Sequence, residues 1–303
     1  MGFNNEKNSY LASIVLGAFF LSHTAWAEVN FKMQQLSNNL HVLYGQGGNI
    51  AISTGKDGIY LVDDQFAKLS EEIKKQISTL QQGAPEFVIN THHHGDHTGG
   101  NENFAQAGSH VIAHHNVYER LKAKHSEGSK YLPVVSFGKD LVLHFNDEHA
   151  HLWHFPHAHT DGDAVVFYKN ANVVHMGDIF FNLNSLPFVD VDSGGSLDGV
   201  ISAVRDTLER IGDDTKVSPG HGSVTDKPSL AQYLVLLQKA KQLMLVAIKE
   251  HNNIEAVVNA KPLATLELSY SDWLPQERVT KLFYRSLTEQ TVLQGRADCV
   301  TGS

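Results

Sequence analysis

Between Phe31 and Asp64, apolar and polar positions alternate in the short runs LHVLY, NIAIS and GIYLVDD, separated by Asn-Asn, Gly-Gly and Gly-Lys-Asp-Gly. Period-two alternation broken by turn residues predicts antiparallel strands joined by hairpins. The period then changes. In KLSEEIKKQISTLQQ the apolar residues Leu69, Ile73, Ile77 and Leu80 recur at helical spacing, and EFVIN follows Gly83 and Pro85, so a helix leads into a strand. GNENFAQAG predicts a short helix, SHVIAHH a strand and VYERLKAKH another helix. A second set of strands spans Leu141 to Val174, and Leu197 to Ile211 carries Val200, Ile201, Val204 and Leu208 on one helical face. Strands with interleaved helices in two halves predict an α/β chain built as an αββα sandwich over residues 28–225. Past His221 the pattern is helical at 229–250 and 275–290, with a connection around Pro262, so residues 226–303 form a C-terminal helical extension. It could cover one side of a site, mediate a homodimer or complete the core.

The first residues follow another rule. After Lys7, an apolar run from Leu11 to Leu21 ends in the small-x-small triplet Ala25-Trp26-Ala27. That is the pattern of a signal peptide over residues 1–27, with a mature chain starting at Glu28 in the periplasm or outside the cell. The run is too short for a membrane span, which needs roughly 20 apolar residues, and no later stretch comes close. The net charge is -9 and basic clusters are absent, which excludes nucleic acid as a partner and leaves a small molecule. Cys299 is the single cysteine, so neither a disulfide nor a thiolate metal site can form within the chain. Chemistry falls to His, Asp and Glu, and 19 histidines direct the search.

EFVIN runs directly into Thr91-His92-His93-His94-Gly95-Asp96-His97-Thr98-Gly99-Gly100. Gly95, Gly99 and Gly100 free the backbone to curl, so that His92, His94, Asp96 and His97 converge past a strand end while His93 points away. Imidazoles with a carboxylate suit zinc. A His-rich run can also be plain surface or a metal-scavenging site. Against that, further candidate ligands recur beside glycines after strand-like runs: His159 in His-Thr-Asp-Gly-Asp, Asp178 at the end of VVHMGD, and His221 in Ser-Pro-Gly-His-Gly. His157 is the rival for the role of His159.

With these residues in order, the chain resembles the metallo-β-lactamase superfamily, whose signature is His-x-His-x-Asp-His followed by a lone His, a lone acid or Cys, and a final His. The resemblance covers about residues 30 to 225. It implies two zinc ions per chain, the first held by His92, His94 and His159, the second by Asp96, His97 and His221, with Asp178 bridging them. It also implies that Asp63 supports the metal loop from behind, that the two ions lower the pKa of a shared water so that it attacks a carbonyl, and that Asp96 orients it. The leader fits hydrolysis of β-lactam antibiotics, and with it antibiotic resistance. The alternative is a periplasmic hydrolase of a thioester, lactone or other ester, and a reading of a different class is a zinc-binding protein without turnover. Two departures bear on substrate: the commonest lactamases of the family have Cys where this chain has Asp178, and a Lys where it has Phe181. Asn182 and Asn184, beside Phe181, are candidate donors to a substrate carbonyl or carboxylate. His94, where the di-iron branch of the fold commonly has Glu, favours zinc hydrolysis over redox work.

Overall fold

The computed structural model describes residues 1–2 and 29–300, with side chains through Glu289. The expected leader and its cleavage site fall outside the described residues, as does the side chain of Cys299. The body that begins at Phe31 is built from two facing sheets. The first sheet holds β1 (Lys32–Gln35), β2 (Leu40–Tyr44), β3 (Ile50–Gly55), β4 (Gly58–Val62), β5 (Phe87–Asn90), β6 (His110–His114) and β7 (Val135–Phe137), in that order. β1 to β4 form an antiparallel meander and β4 to β7 run parallel. Parallel pairing requires crossovers, supplied by α1 (Ser70–Ser78), the short α2 (Gly95–Thr98) and α3 (Asn101–Gln106), and α4 (His115–Lys122).

The second sheet has β8 (Asp140–Phe145), β9 (Glu148–Phe155), β10 (Asp163–Tyr168) and β11 (Val173–His175) in antiparallel succession. A two-residue β12 (Phe181–Asn182) and helix α5 (Leu197–Arg210) come next in the chain. β13 (Lys216–Ser218) then pairs parallel with β11, β14 (His221–Gly222) pairs with β12, and β15 (Thr225–Asp226) closes the edge. Alternation along β10 decides both faces: Ala164, Val166 and Tyr168 pack toward Val42, Tyr60, Val62 and Ile89 of the first sheet, whereas Val165 turns to the helices. This is the αββα sandwich expected from the pattern.

The extension comprises α6 (Lys227–Glu250), α7 (Ile254–Ala260) and α8 (Gln276–Val300). Asp226 caps α6 by accepting from Ser229 N, with Pro228 in the first turn where no backbone donor is needed. Leu230, Leu237 and Met244 of α6, Val257 of α7 and Val279 and Phe283 of α8 lie in one core with Val165, Val174 and Val217 of the second sheet. Each such side chain contributes about 1.5–3 kcal/mol by leaving water. Helix α7 departs from the expected open connection; it is short and buries Val257 alone. Among the described residues no helix is long and apolar enough to cross a membrane.

Candidate metal centre

The site forms where β4, β5, β11 and β13 end and where β9 turns into β10. Asp63 follows β4 in a left-handed conformation (φ 65°) that costs a non-glycine residue energy. Hydrogen bonds hold it there. Its amide donates to Ile89 O (2.8 Å), its carboxylate accepts from Thr91 N and Thr91 Oγ1 (both 2.8 Å), and Oδ2 lies 2.7 Å from His97 Nδ1. Asp63 and His97 are fully buried, so the carboxylate fixes the imidazole's orientation from behind. The loop after β5 is further anchored by paired amides, Asn90 with Asn101 at 2.9 and 3.0 Å.

The segment Gly95–Thr98 is a helical turn rather than a free curl. None of its neighbouring glycines has positive φ. Gly99 and Gly100 are needed for close approach instead: a Cβ on Gly99 would sit 2.6 Å from Gly95 O and 2.8 Å from Phe66 Cα, and one on Gly100 2.9 Å from Asp64 O. Gly95 faces open space. Gly177 does turn the chain at φ 50°, presenting Asp178.

Hydrogen bonds decide which ring nitrogens point inward. Thr91 Oγ1 donates to Asp63 and so accepts from His92 Nδ1 (3.0 Å), leaving His92 Nε2 without a proton. His159 Nδ1 donates to Phe188 O (2.6 Å), and His94 Nε2 donates to Asp190 Oδ2 (2.9 Å). Consequently His94 Nδ1 and His159 Nε2 face each other at 2.9 Å, a contact that a proton shared between the rings or a bound cation satisfies. Asp178 stands at the centre. Its Oδ1 lies 3.1 Å from His97 Nε2 and 3.4 Å from His221 Nε2, while Oδ2 lies 3.8 Å from His92 Nε2 and 3.7 Å from His159 Nε2. Asp96 Oδ2 completes the far side at 3.2 Å from His221 Nε2 and 3.6 Å from His97 Nε2.

Two groups of donor atoms result, each within the span of one ion: His92, His94, His159 and Asp178; and Asp96, His97, His221 and Asp178. His92 Nε2, His97 Nε2 and Asp178 Oδ1 are buried without a hydrogen-bond partner, a costly arrangement unless a ligand completes it. The charges agree. Burial would raise the Asp178 carboxyl, yet the imidazoles of His97 and His221 hold it well below the usual carboxylate range. Burial would likewise lower His221, but Asp178 and Asp96 push it up to about 9. Burial takes His92 well below its ordinary value and His159 down to about 4, whereas against the same burial Asp178, Asp96 and Asp63 raise His97 well above it, so the carboxylate-rich half of the site attracts positive charge. The residues present fit metal ions, with nitrogen and carboxylate donors of the kind zinc takes.

Of the remaining candidates, His157 is exposed, with Nδ1 3.0 Å from Gly194 O and no part in either group. His93 is buried behind the site, 3.3 Å from Ser193 Oγ, and could join His94 and Asp190 in a third donor group. Phe181 stacks on His221 with ring centroids 5.2 Å apart and lines a cleft of about 620 Å³ that opens onto Asp96, Asp178 and His221. Asn182 donates its amide to Ser223 O, and Asn184 sits exposed in a left-handed turn; neither is among the residues lining the cleft. Asp190 and the Phe188 carbonyl are absent from the sequence reading. A single acid in a loop carries no spacing signal, and a carbonyl carries none at all.

Residues 66–221 match the metallo-beta-lactamase superfamily, and the chain belongs to it. Two curated relatives are each named hydroxyacylglutathione hydrolase. The protein from Polaromonas sp. is 29% identical over 221 residues, 67% of this chain and 79% of the relative; that from Nitrosococcus oceani is 26% identical over 220 residues with the same coverage. Among solved structures, the metallo-beta-lactamase from Pontibacter korlensis superimposes with a TM-score of 0.61 at 22% identity, covering 69% of this chain and 99% of that one. The DIM-1 metallo-beta-lactamase gives 0.61 at 18%, covering 70% and 100%. These likenesses share the fold. The protein is a metal-dependent hydrolase.

Proposed function

We propose that this chain is a two-zinc carbonyl hydrolase of the periplasm that cleaves a thioester or another ester. The observation that carries this is Asp178, whose two oxygens face two separate sets of imidazoles. When bound, a pair of zinc ions supplies a water activated at neutral pH and polarises a carbonyl oxygen. His92, His94 and His159 would hold one ion, Asp96, His97 and His221 the other, with Asp178 shared. Asp96 lies at the mouth of the cleft and is partly exposed, which suits it to accept a hydrogen bond from the attacking water and orient it. Asp63 and Asp190 keep His97 and His94 in the tautomers that offer lone pairs inward.

The curated relatives are hydrolases of an acylated thiol by name, which supports the ester and thioester reading over the β-lactam one. The cleft adds to this: among the described residues no Lys or Arg lines it, and by the family resemblance Phe181 stands where the commonest lactamases have Lys. The leader pattern alone favours β-lactam hydrolysis as a second reading. A screen of the zinc-loaded chain against thioesters, aryl esters, lactones, β-lactams and phosphodiesters decides. Turnover of a thioester or ester that is lost in Asp96→Asn is expected. Turnover of β-lactams only would establish the second reading, and no turnover with both metals bound would overturn both in favour of a zinc-binding protein.

A further inference from the structure

The extension reaches the cleft through the segment between α7 and α8. Ser269 N donates to Asn184 O (3.0 Å), which ties this segment to the loop after β12. Tyr270, Trp273 and Leu274 then line the cleft together with Phe181, Leu183 and Leu186. Trp273 is held in place on its far side. Its ring lies 5.0 Å from that of Phe188, Arg278 lies 4.6 Å from the Trp273 centroid and 5.0 Å from the Phe188 centroid, and Arg278 Nη1 donates to Trp273 O at 2.7 Å. Phe188 in turn sits 5.8 Å from the His94 ring and 5.7 Å from the His159 ring, so the wall abuts the metal centre.

Charge is the deciding feature. The charged or titratable groups among the lining residues are Asp96, Asp178, His221 and the Tyr270 phenol; there is no Lys or Arg, and Arg278 is engaged on the ring faces outside the lining. With Asp96, Asp178 and His221 engaged at the metal centre, the rest of the lining offers no cation, so a carboxylate at the far end of a bound chain would lose its water without a partner. At the rim, Trp273 and Leu183 remain 57% and 50% exposed although they are large and apolar, an arrangement that costs hydration unless a ligand covers them. A cleft of about 620 Å³ falls in the size range of small-molecule sites, roughly 300–1,000 Å³.

We propose that this cleft binds the uncharged, elongated acyl chain of the substrate, and that Trp273, contributed by the C-terminal extension, sets the preference for chain length. The inference rests on the carbonyl-hydrolase reading and names the substrate class within it. Burial of a methylene is worth roughly a fourfold change in an equilibrium constant, so selectivity grows steeply along a chain that lies against this wall.

The test uses the zinc-loaded full chain and two measurements. The first is kcat/KM for acetyl, butyryl, hexanoyl and octanoyl thioesters of N-acetylcysteamine. A rise of about 30-fold or more from acetyl to octanoyl is expected, collapsing to within about threefold in Trp273→Ala and in Leu183→Ser with zinc content unchanged; a carboxylate added at the chain end should abolish the gain. The second is quenching of Trp273 fluorescence by 2-alkanones, which have no scissile bond. Binding should tighten from 2-hexanone to 2-decanone, and the response should vanish in Trp273→Phe. A flat series, a gain that survives Trp273→Ala, or a preference for the carboxylated chain would overturn the proposal while leaving the hydrolase reading intact. Length-dependent alkanone binding without thioester turnover would uphold the apolar cleft and overturn the thioester reading instead. Absence of both would overturn both.

Discussion

Asp190 Oδ2 lies 2.9 Å from His94 Nε2, so His94 presents its other nitrogen, Nδ1, to the centre of the site. The carboxylate thereby selects the tautomer and fixes the ring of one of the three imidazoles in the first donor group. Asp190 also accepts from Ser193 N (3.2 Å), which anchors it within its own loop.

Asp190→Ala should weaken zinc at the first site by about 10–100-fold and leave the second within about threefold. Competition against a chelator of known affinity measures both. An unchanged first site would remove Asp190 from the centre's construction.

Asp178→Ala should abolish the weaker of two zinc-binding events and retain the stronger. The near contacts of Asp178 are to His97 and His221, and without it the second set keeps Asp96, His97 and His221 against three histidines in the first. Calorimetric titration distinguishes this from a turn-capping role, which would cost roughly 0.5–2 kcal/mol of stability and leave both events in place.

Two glycines near the ligands should behave differently. A Cβ on Gly220 would overlap Asp178 Oδ1 and the Gly177 carbonyl carbon, whereas one on Gly95 meets nothing within 4 Å. Gly220→Ala is therefore expected to lose the second zinc and about 1–3 kcal/mol of stability, with Gly95→Ala close to wild type in both. Similar zinc content and melting temperature in the two variants would count against the packing described.

Phe283 of α8 is fully buried in the core shared with the second sheet. Phe283→Ala should cost about 3–5 kcal/mol, and unfolding should remain one cooperative transition that takes the metal site with it. A separate early transition that leaves bound zinc undisturbed would mean that residues 226–303 fold on their own.

The candidate donor set was legible in the sequence because His-x-His-x-Asp-His and the three later candidates keep a fixed order beside apolar runs, and the fold gathers them into two groups. The sandwich was legible for a related reason: short apolar runs broken by turn residues mark the strands, and helical spacing in α5 reports one buried face. Where a feature depends on contacts distant in the chain, the pattern falls silent. Gly99 and Gly100 suggested flexible backbone, but their role is the close passage of Phe66 and Asp64, which only the folded chain reveals. Helix α7 is two turns with one buried residue, too short for periodicity to register. The Trp273 wall joins a segment of the extension to the metal loop through Phe188, a pairing that no local window contains.

The most direct test of the account is a zinc titration of the metal-free full chain with thioester or ester turnover followed at each addition. Asp178 as a shared ligand predicts little activity up to one equivalent, a rise to full activity between one and two, and a plateau beyond. Full activity at a single equivalent, or none at two, would contradict a hydrolytic centre built from both sets of ligands.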